Sequence, residues 1–136
     1  MMDEAIYKAL AARTATLATA LGLTVSYPNV AFDVPTDDAR YLEVKHFPNG
    51  TTDFAWNNSP SVHIGIWQVA LIDPKQLGSV AALAICDDIA EHFARGTWLE
   101  ETGTIVKIDG KPSVMGLIQD GHKATYPVSI RYRCSG

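Results

Sequence analysis

The sequence predicts an α+β domain: a mostly antiparallel, mixed β-sheet with two helices packed on one face and an extended β-hairpin. Three observations predict it. Residues 3–21 and 79–94 carry apolar side chains at helical spacing. Residues 40–47, 61–72, 104–109, 113–119 and 124–133 carry strand signals, several with clean alternation. The resulting order is helix, short strand, hairpin, helix, then three strands, which is not the regular alternation of a parallel α/β sheet. The 136 residues suit a single domain over 1–136.

The first helix opens with Asp3, which can cap it, and Glu4, which sits near the positive end of the helix dipole. Ile6, Leu10, Leu17 and Leu21 make its apolar face, with Ala9 and Ala20 beside them. Gly22 is its stop, because glycine takes the left-handed conformation after the last turn. Residues 23–27 read as a short strand, and 28–39, with two prolines and three aspartates, as a connector. In 40–47, Leu42, Val44 and His46 share one face; Tyr41, Glu43, Lys45 and Phe47 share the other. A polar loop follows over 48–60. The strand at 61–72 is apolar on both faces in its second half, so it is expected to be central and covered on both sides.

Asp73-Pro74 ends that strand. The second helix runs from Lys75 or Ser79 to Ala94. Ala82, Leu83, Cys86, Ile89, Ala90 and Phe93 form one stripe, and Asp87, Asp88, Glu91 and Arg95 lie opposite. Glu91 and Arg95 have the spacing of a helical ion pair, and Gly96 stops the helix. Residues 104–109 and 113–119 are expected to pair as a hairpin across Asp109-Gly110, with a further turn at Asp120-Gly121. In the closing strand Tyr126, Val128, Ile130 and Tyr132 face one way; Thr125, Ser129, Arg131 and Arg133 face the other. Pro127 lacks a donor, so this strand is expected to be an edge there, or bulged.

Composition narrows the function classes. The chain is 47% hydrophobic and 19% charged, which excludes a disordered, collagenous or coiled-coil protein. Its net charge is −4. Residues 1–68 hold 4 basic and 7 acidic groups and residues 69–136 hold 7 and 8, so neither half is a basic module for nucleic acid. No apolar run spans a bilayer, and no membrane partner is expected. Asp3 and Glu4 stand where a secretion signal needs positive charge. Two cysteines do not make a disulfide framework, so the default reading is a cytosolic protein with two thiols.

Motifs for chemistry are absent: there is no Gly-x-Ser-x-Gly, phosphate loop or dinucleotide fingerprint. His46, His63, His92 and His122 fall on two strands, a helix and a turn. His46 and His63 could meet across the hairpin with Cys86 or Cys134, but the spacing of a metal site is missing. No catalytic residue, cofactor or metal is expected. Cys86, on the apolar stripe, reads as inert packing, and Cys134, near the C-terminus, as partly exposed. Asp87-Asp88 diverge around a helix and read as a solvated face; Glu100-Glu101 are placed in the turn after the second helix. Arg131 and Arg133 make a small basic stripe with Lys123 nearby. It reads first as edge-strand charge that resists wrong pairing, and hence a possible edge-strand contact, and second as a phosphate site. The unusual feature is the loop at 48–60, whose 13 residues are long for a hairpin connection. Phe54 and Trp56, followed by Asn57 and Asn58, give it the composition of a protein-contact loop. The other reading folds both rings back onto their own sheet.

Several segments resemble a known family. They are residues 31–45, where Ala-Phe-Asp-Val-Pro precedes the Tyr-Leu-Glu-Val strand; residues 63–71, leading through Asp73-Pro74 into the Ala-rich helix at 80–93; and the closing Tyr-Pro-Val-Ser-Ile-Arg-Tyr-Arg at 126–133. Over nearly its whole length the chain resembles the small tail terminator proteins of long-tailed bacteriophages and related prophage elements. The likeness lies in size, element order and segment character rather than in one diagnostic motif. It implies a structural protein and not an enzyme: a ring, commonly six-fold, that sits on the end of the tail tube, stops its polymerisation and offers a surface for joining the head. The implied partners are further copies of itself, the tail tube protein and a head–tail connector or neck protein. DNA would pass through the lumen without specific binding, and a negative lumen would let it slide. The implied location is the neck-proximal end of the virion tail, after assembly in the host cytoplasm. Two readings stand beside it: another ring-forming neck or tail component, or an adaptor of a contractile secretion device; and a small α+β ligand-binding or enzyme domain using His46, His63 and Cys134.

Overall fold

The computed structural model describes residues 2–33, 39–53, 61–74, 78–120 and 123–135. In chain order the elements are α1 (Met2–Leu21), β1 (Val25–Ser26), β2 (Tyr41–Asp53), β3 (Ser61–Pro74), α2 (Val80–His92), β4 (Trp98–Glu101), β5 (Thr104–Ile108), β6 (Ser113–Val114), β7 (Ile118–Asp120) and β8 (Lys123–Ser135). The strands form one mixed sheet in the order β1-β2-β3-β8-β5-β4, with β6 and β7 also lying along β8. Among the described residues only the β1–β2 pair is parallel, through Val25–Leu42 and Ser26–Glu43. This is the expected α+β architecture.

β3 lies between β2 and β8 and pairs with β8 over all but its first residue, from Val62 to Pro74. Val69, Ala70, Leu71 and Ile72 are all buried, so the stretch that is apolar on both faces is covered on both faces. The helices cover one face. There Leu42, Val44, Trp67, Val69 and Leu71 meet Ile6, Leu10 and Leu17 of α1 and Ala82, Cys86 and Ile89 of α2 in one core. The opposite face carries a small second cluster of Tyr41, Ala70 and Ile72, with Phe32 of the connector packed on it.

Two polar contacts lock the helical layer. Trp67 is fully buried, and its indole N–H donates to Thr14 Oγ1 at 2.9 Å; the Thr14 hydroxyl donates in turn to the Leu10 carbonyl at 2.8 Å. Arg13 Nε and Nη2 donate to the His92 carbonyl at 3.0 and 2.7 Å, so a cation of α1 satisfies the negative end of α2. His92 Nε2–H donates back to the Arg13 carbonyl at 3.0 Å.

Four expectations about the sheet are corrected. First, β2 does not stop at Phe47. It continues to Asp53 across a bulge between Pro48 and Thr51, so only part of 48–60 is connector. Pro48 is tolerated because, among the described residues, the outer side of β2 is paired only at Leu42 and Glu43. Second, Glu100 and Glu101 belong to β4. It pairs with β5 through a turn at Thr102-Gly103, whose φ values of 51° and 80° are those of a type I′ hairpin. Third, the 104–109/113–119 hairpin does not form. β5 pairs with β4 and β8, and 113–119 splits into β6 and β7, both running along β8.

Fourth, β8 is an interior strand and not an edge. The Pro127 carbonyl accepts from Met115 N–H at 2.7 Å, on the β6–β7 side. A strand residue points its N–H and C=O the same way, so the missing donor faces the break between β6 and β7 and costs β3 no bond. In α2, Leu83 is exposed rather than part of the buried stripe. The helix ends at His92, so Arg95 is off it, and no ion pair joins Arg95 to Glu91 among the described residues.

Thr14→Val keeps the volume but leaves the Trp67 donor buried without an acceptor. It is expected to cost about 1–3 kcal/mol in denaturant unfolding. A value near zero would show that the indole finds another partner.

Candidate assembly surface

Strand register builds a surface on the face of the sheet away from the helices. Trp98 of β4 stands opposite Lys107 of β5, Lys107 opposite Arg133 of β8, and Arg133 opposite Ile64 of β3. One row along, Arg131 stands opposite Ile66, and Ile66 opposite Phe47. Side chains two apart on a strand share a face, so these rows lie together. Trp98 is 64% exposed, and Lys107 Nζ lies 4.6 Å from its ring centroid. That cation–π contact is worth about 0.5–1 kcal/mol at an exposed site. Arg95, Ile105 and Asp109 complete a cleft of about 620 Å³ with Trp98, Lys107 and Arg133. Among the described residues, none of Arg95, Lys107, Arg131 and Arg133 is in an ion pair.

The helical side presents a surface of opposite sign. Asp87, Asp88 and Glu91 are exposed along α2, with Leu83 on the same helix and Val80, 88% exposed, at its start. β6 lies beside α2, and from it runs an exposed apolar segment of Val114, Met115, Leu117 and Ile118. Exposed apolar side chains clustered in this way mark interaction surfaces.

The residues singled out from sequence fare differently. Phe54, Trp56, Asn57 and Asn58 lie outside the described residues. Arg131 and Arg133 do sit together, but on the open face of an interior strand; the edge-strand role is corrected, since β3 covers one side of β8 and β5 the other. Arg95, Trp98 and Lys107 were not singled out. The local signal for them was the Thr-Gly turn at 102–103, which makes Trp98 and Lys107 cross-strand partners.

His46 and His63 do not form a joint site. His46 Nε2 shares a hydrogen bond of 2.7 Å with the Tyr132 hydroxyl, and its ring packs against Tyr7, Trp67 and Tyr132. His63 Nδ1 lies 3.7 Å from Asp3 Oδ1. No group of three His, Cys, Asp or Glu able to hold a metal occurs among the described residues. Cys134 is buried, not partly exposed, as is Cys86. Burial raises both thiols, Cys86 to about 11, and pushes the Tyr132 phenol up to about 12.

A sequence model of the family described as "Phage tail terminator protein" matches residues 5–132. A solved structure 23% identical in sequence superposes with a TM-score of 0.81, covering 98% of this chain and 96% of its own. A second, described as "Virion of native gene transfer agent (GTA) particle", is 15% identical with a TM-score of 0.67, covering 99% and 98%. Both likenesses concern the fold. No curated protein matches the chain.

Two predictions follow from the buried groups. Burial lowers the pKa of His46; burial and then the Arg13 charge lower that of His92. The unfolded chain therefore binds these protons more readily. The stability they confer is full above about pH 6.5 and drains as pH falls through the depressed folded values. Melting temperature should drop between about pH 7.5 and about pH 5.5, and a His46→Gln/His92→Gln chain should show a shallower slope. Second, neither thiol should react with an alkylating reagent until the chain is unfolded, and Cys86→Ala should cost about 1–2 kcal/mol through lost packing. Rapid native labelling would contradict the burial.

Proposed function

The chain belongs to the phage tail terminator family, and from that premise we propose that it acts as a single-domain structural subunit that closes into a ring on the end of a phage tail tube. The observation that carries the reading is the family match over residues 5–132. The ring, six-fold on this reading, stops tube polymerisation and offers the surface to which the head is joined. It sits at the neck-proximal end of the virion tail after assembly in the host cytoplasm. Its partners are its own copies, the tube protein and a connector or neck protein. Its role is mechanical, with no reaction catalysed.

Several features support this reading. A closed ring of more than two copies uses two different surfaces per subunit, and the molecule carries an acidic, apolar helical side and a basic, aromatic sheet face. The β2–β3 hairpin is long enough to reach a neighbour: thirteen residues at about 3.3 Å each span roughly 40 Å. A net charge of −4 gives little counterion release on DNA, which suits a lumen through which DNA passes without specific binding. Phe54 and Trp56, with Asn57 and Asn58, are on this reading the contact residues at the hairpin tip.

Electron microscopy of tail tubes growing with and without the protein tests the function. Capped tubes of arrested length with a terminal ring are expected, and tubes that grow on unchanged would sink it. For the loop, Phe54→Ser/Trp56→Ser should leave the melting temperature of the isolated subunit nearly unchanged. It should weaken capping by about thirtyfold per lost anchor, each being worth about 2 kcal/mol. A large fall in melting temperature would make both rings core residues.

A further inference from the structure

A cyclic assembly places two complementary surfaces on one chain, each facing a different neighbour. We propose that the outer face of α2 in one subunit docks in the cleft of the next subunit, with Asp87, Asp88 and Glu91 against Lys107, Arg131 and Arg133. The proposal rests on the terminator reading for the ring itself and names which surfaces meet within it.

Charge is the first argument. The chain is net acidic, yet Arg95, Lys107 and Arg133 line one cleft beside a single carboxylate, Asp109, with Arg131 one row along, and none of the four cations is in an ion pair among the described residues. Elsewhere, Lys8, Arg40 and Lys45 are paired to Glu4, Asp73 and Glu43, while Lys111 and Lys123 stand apart from one another rather than in a cluster. The exposed face of α2 carries three carboxylates in two turns, again without an ion pair. Arginine suits such a contact, because its planar fork matches a carboxylate and sheds water readily. Apolar content is the second argument. Trp98 and Ile105 flank the cations, and Val80 and Leu83 flank the carboxylates, so both surfaces combine exposed apolar groups with charge. Shape is the third: the basic surface is a cleft, and the acidic one is a helix of 13 residues, about 20 Å long. The two surfaces lie on opposite sides of the sheet and cannot meet within one chain. Their contact is head-to-tail, the kind that closes a ring.

Charge reversal tests it. One chain carries Arg131→Glu and Arg133→Glu; another carries Asp87→Lys and Asp88→Lys. Each alone places like charges at every junction and should remain monomeric in sedimentation, with the concentration for assembly raised at least about a hundredfold. Mixed in equal amounts they should alternate, restoring opposite charges at every junction and with them the assembly on tube ends. Either variant assembling alone as the wild type does, or a mixture that stays monomeric, overturns the proposal. So does unchanged assembly with lost retention of duplex DNA, which would make the cleft a nucleic-acid surface. Should charge reversal impair folding, a chain with Asp88→Cys and Arg133→Cys decides the matter: oxidised assemblies should give a ladder of covalent oligomers, and bonds absent from assembled rings overturn the contact. Rings of the Asp88→Cys/Arg133→Cys chain that cross-link but let tubes grow uphold the interface and sink the terminator reading. Variant rings that form and cap normally do the reverse.

Discussion

The indole N–H of Trp67 sits in the middle of the core, where no water can reach it, and a donor buried there without a partner is costly. Thr14 supplies the acceptor at 2.9 Å. That bond fixes more than one side chain. It sets which face α1 turns to the sheet, because Thr14 must point at β3, and Ile6, Leu10 and Leu17 then follow onto the core by helical spacing. With α1 so rotated, Arg13 reaches the last turn of α2 and holds its terminal carbonyl. α1 is thus registered to β3 through a buried polar pair, and at the start of α2 Ser79 Oγ shares a hydrogen bond of 3.0 Å with the Tyr126 hydroxyl of β8. The helical layer leaves the carboxylates of α2 facing outwards.

β3 has a comparable role within the sheet. Its Gly65 stands opposite Tyr132, and a side chain there would overlap the tyrosine hydroxyl. The absence of a Cβ lets the Tyr132 ring lie across the strand and bond His46 of β2. Three strands are tied across their helical face by a tyrosine that only a glycine can admit.

The sequence was legible where pattern is local. The helical spacing of α1 and α2 and the doubly apolar second half of β3 needed no knowledge of distant partners. Pairing was harder to read. Asp109-Gly110 was as good a hairpin signal as Thr102-Gly103, and a β-branched residue at positive φ is a conformation that sequence reasoning disfavours. Pro127 was a sound argument against an interior strand, and it failed because the proline nitrogen faces the one gap between two short neighbours. The cleft was the least legible part. Arg131 and Arg133 were visible as a stripe, but Trp98 and Lys107 join them only through the register of β4, β5 and β8, and β6 and β7 intervene between β5 and β8 along the chain.

Among the described residues, the outer edge of β2 is paired to β1 at two residues only, although the strand runs to Asp53. An open edge of that length is a template on which identical chains can stack without limit. The strand itself interrupts the template. Lys45 places a charge along it, Pro48 removes a donor, and the bulge before Thr51 breaks the flat ladder that a stacking chain would need. A safeguard against such stacking is therefore written into the β2–β3 hairpin. Substituting Pro48 by a β-branched residue would trade that safeguard for a straighter, stickier strand.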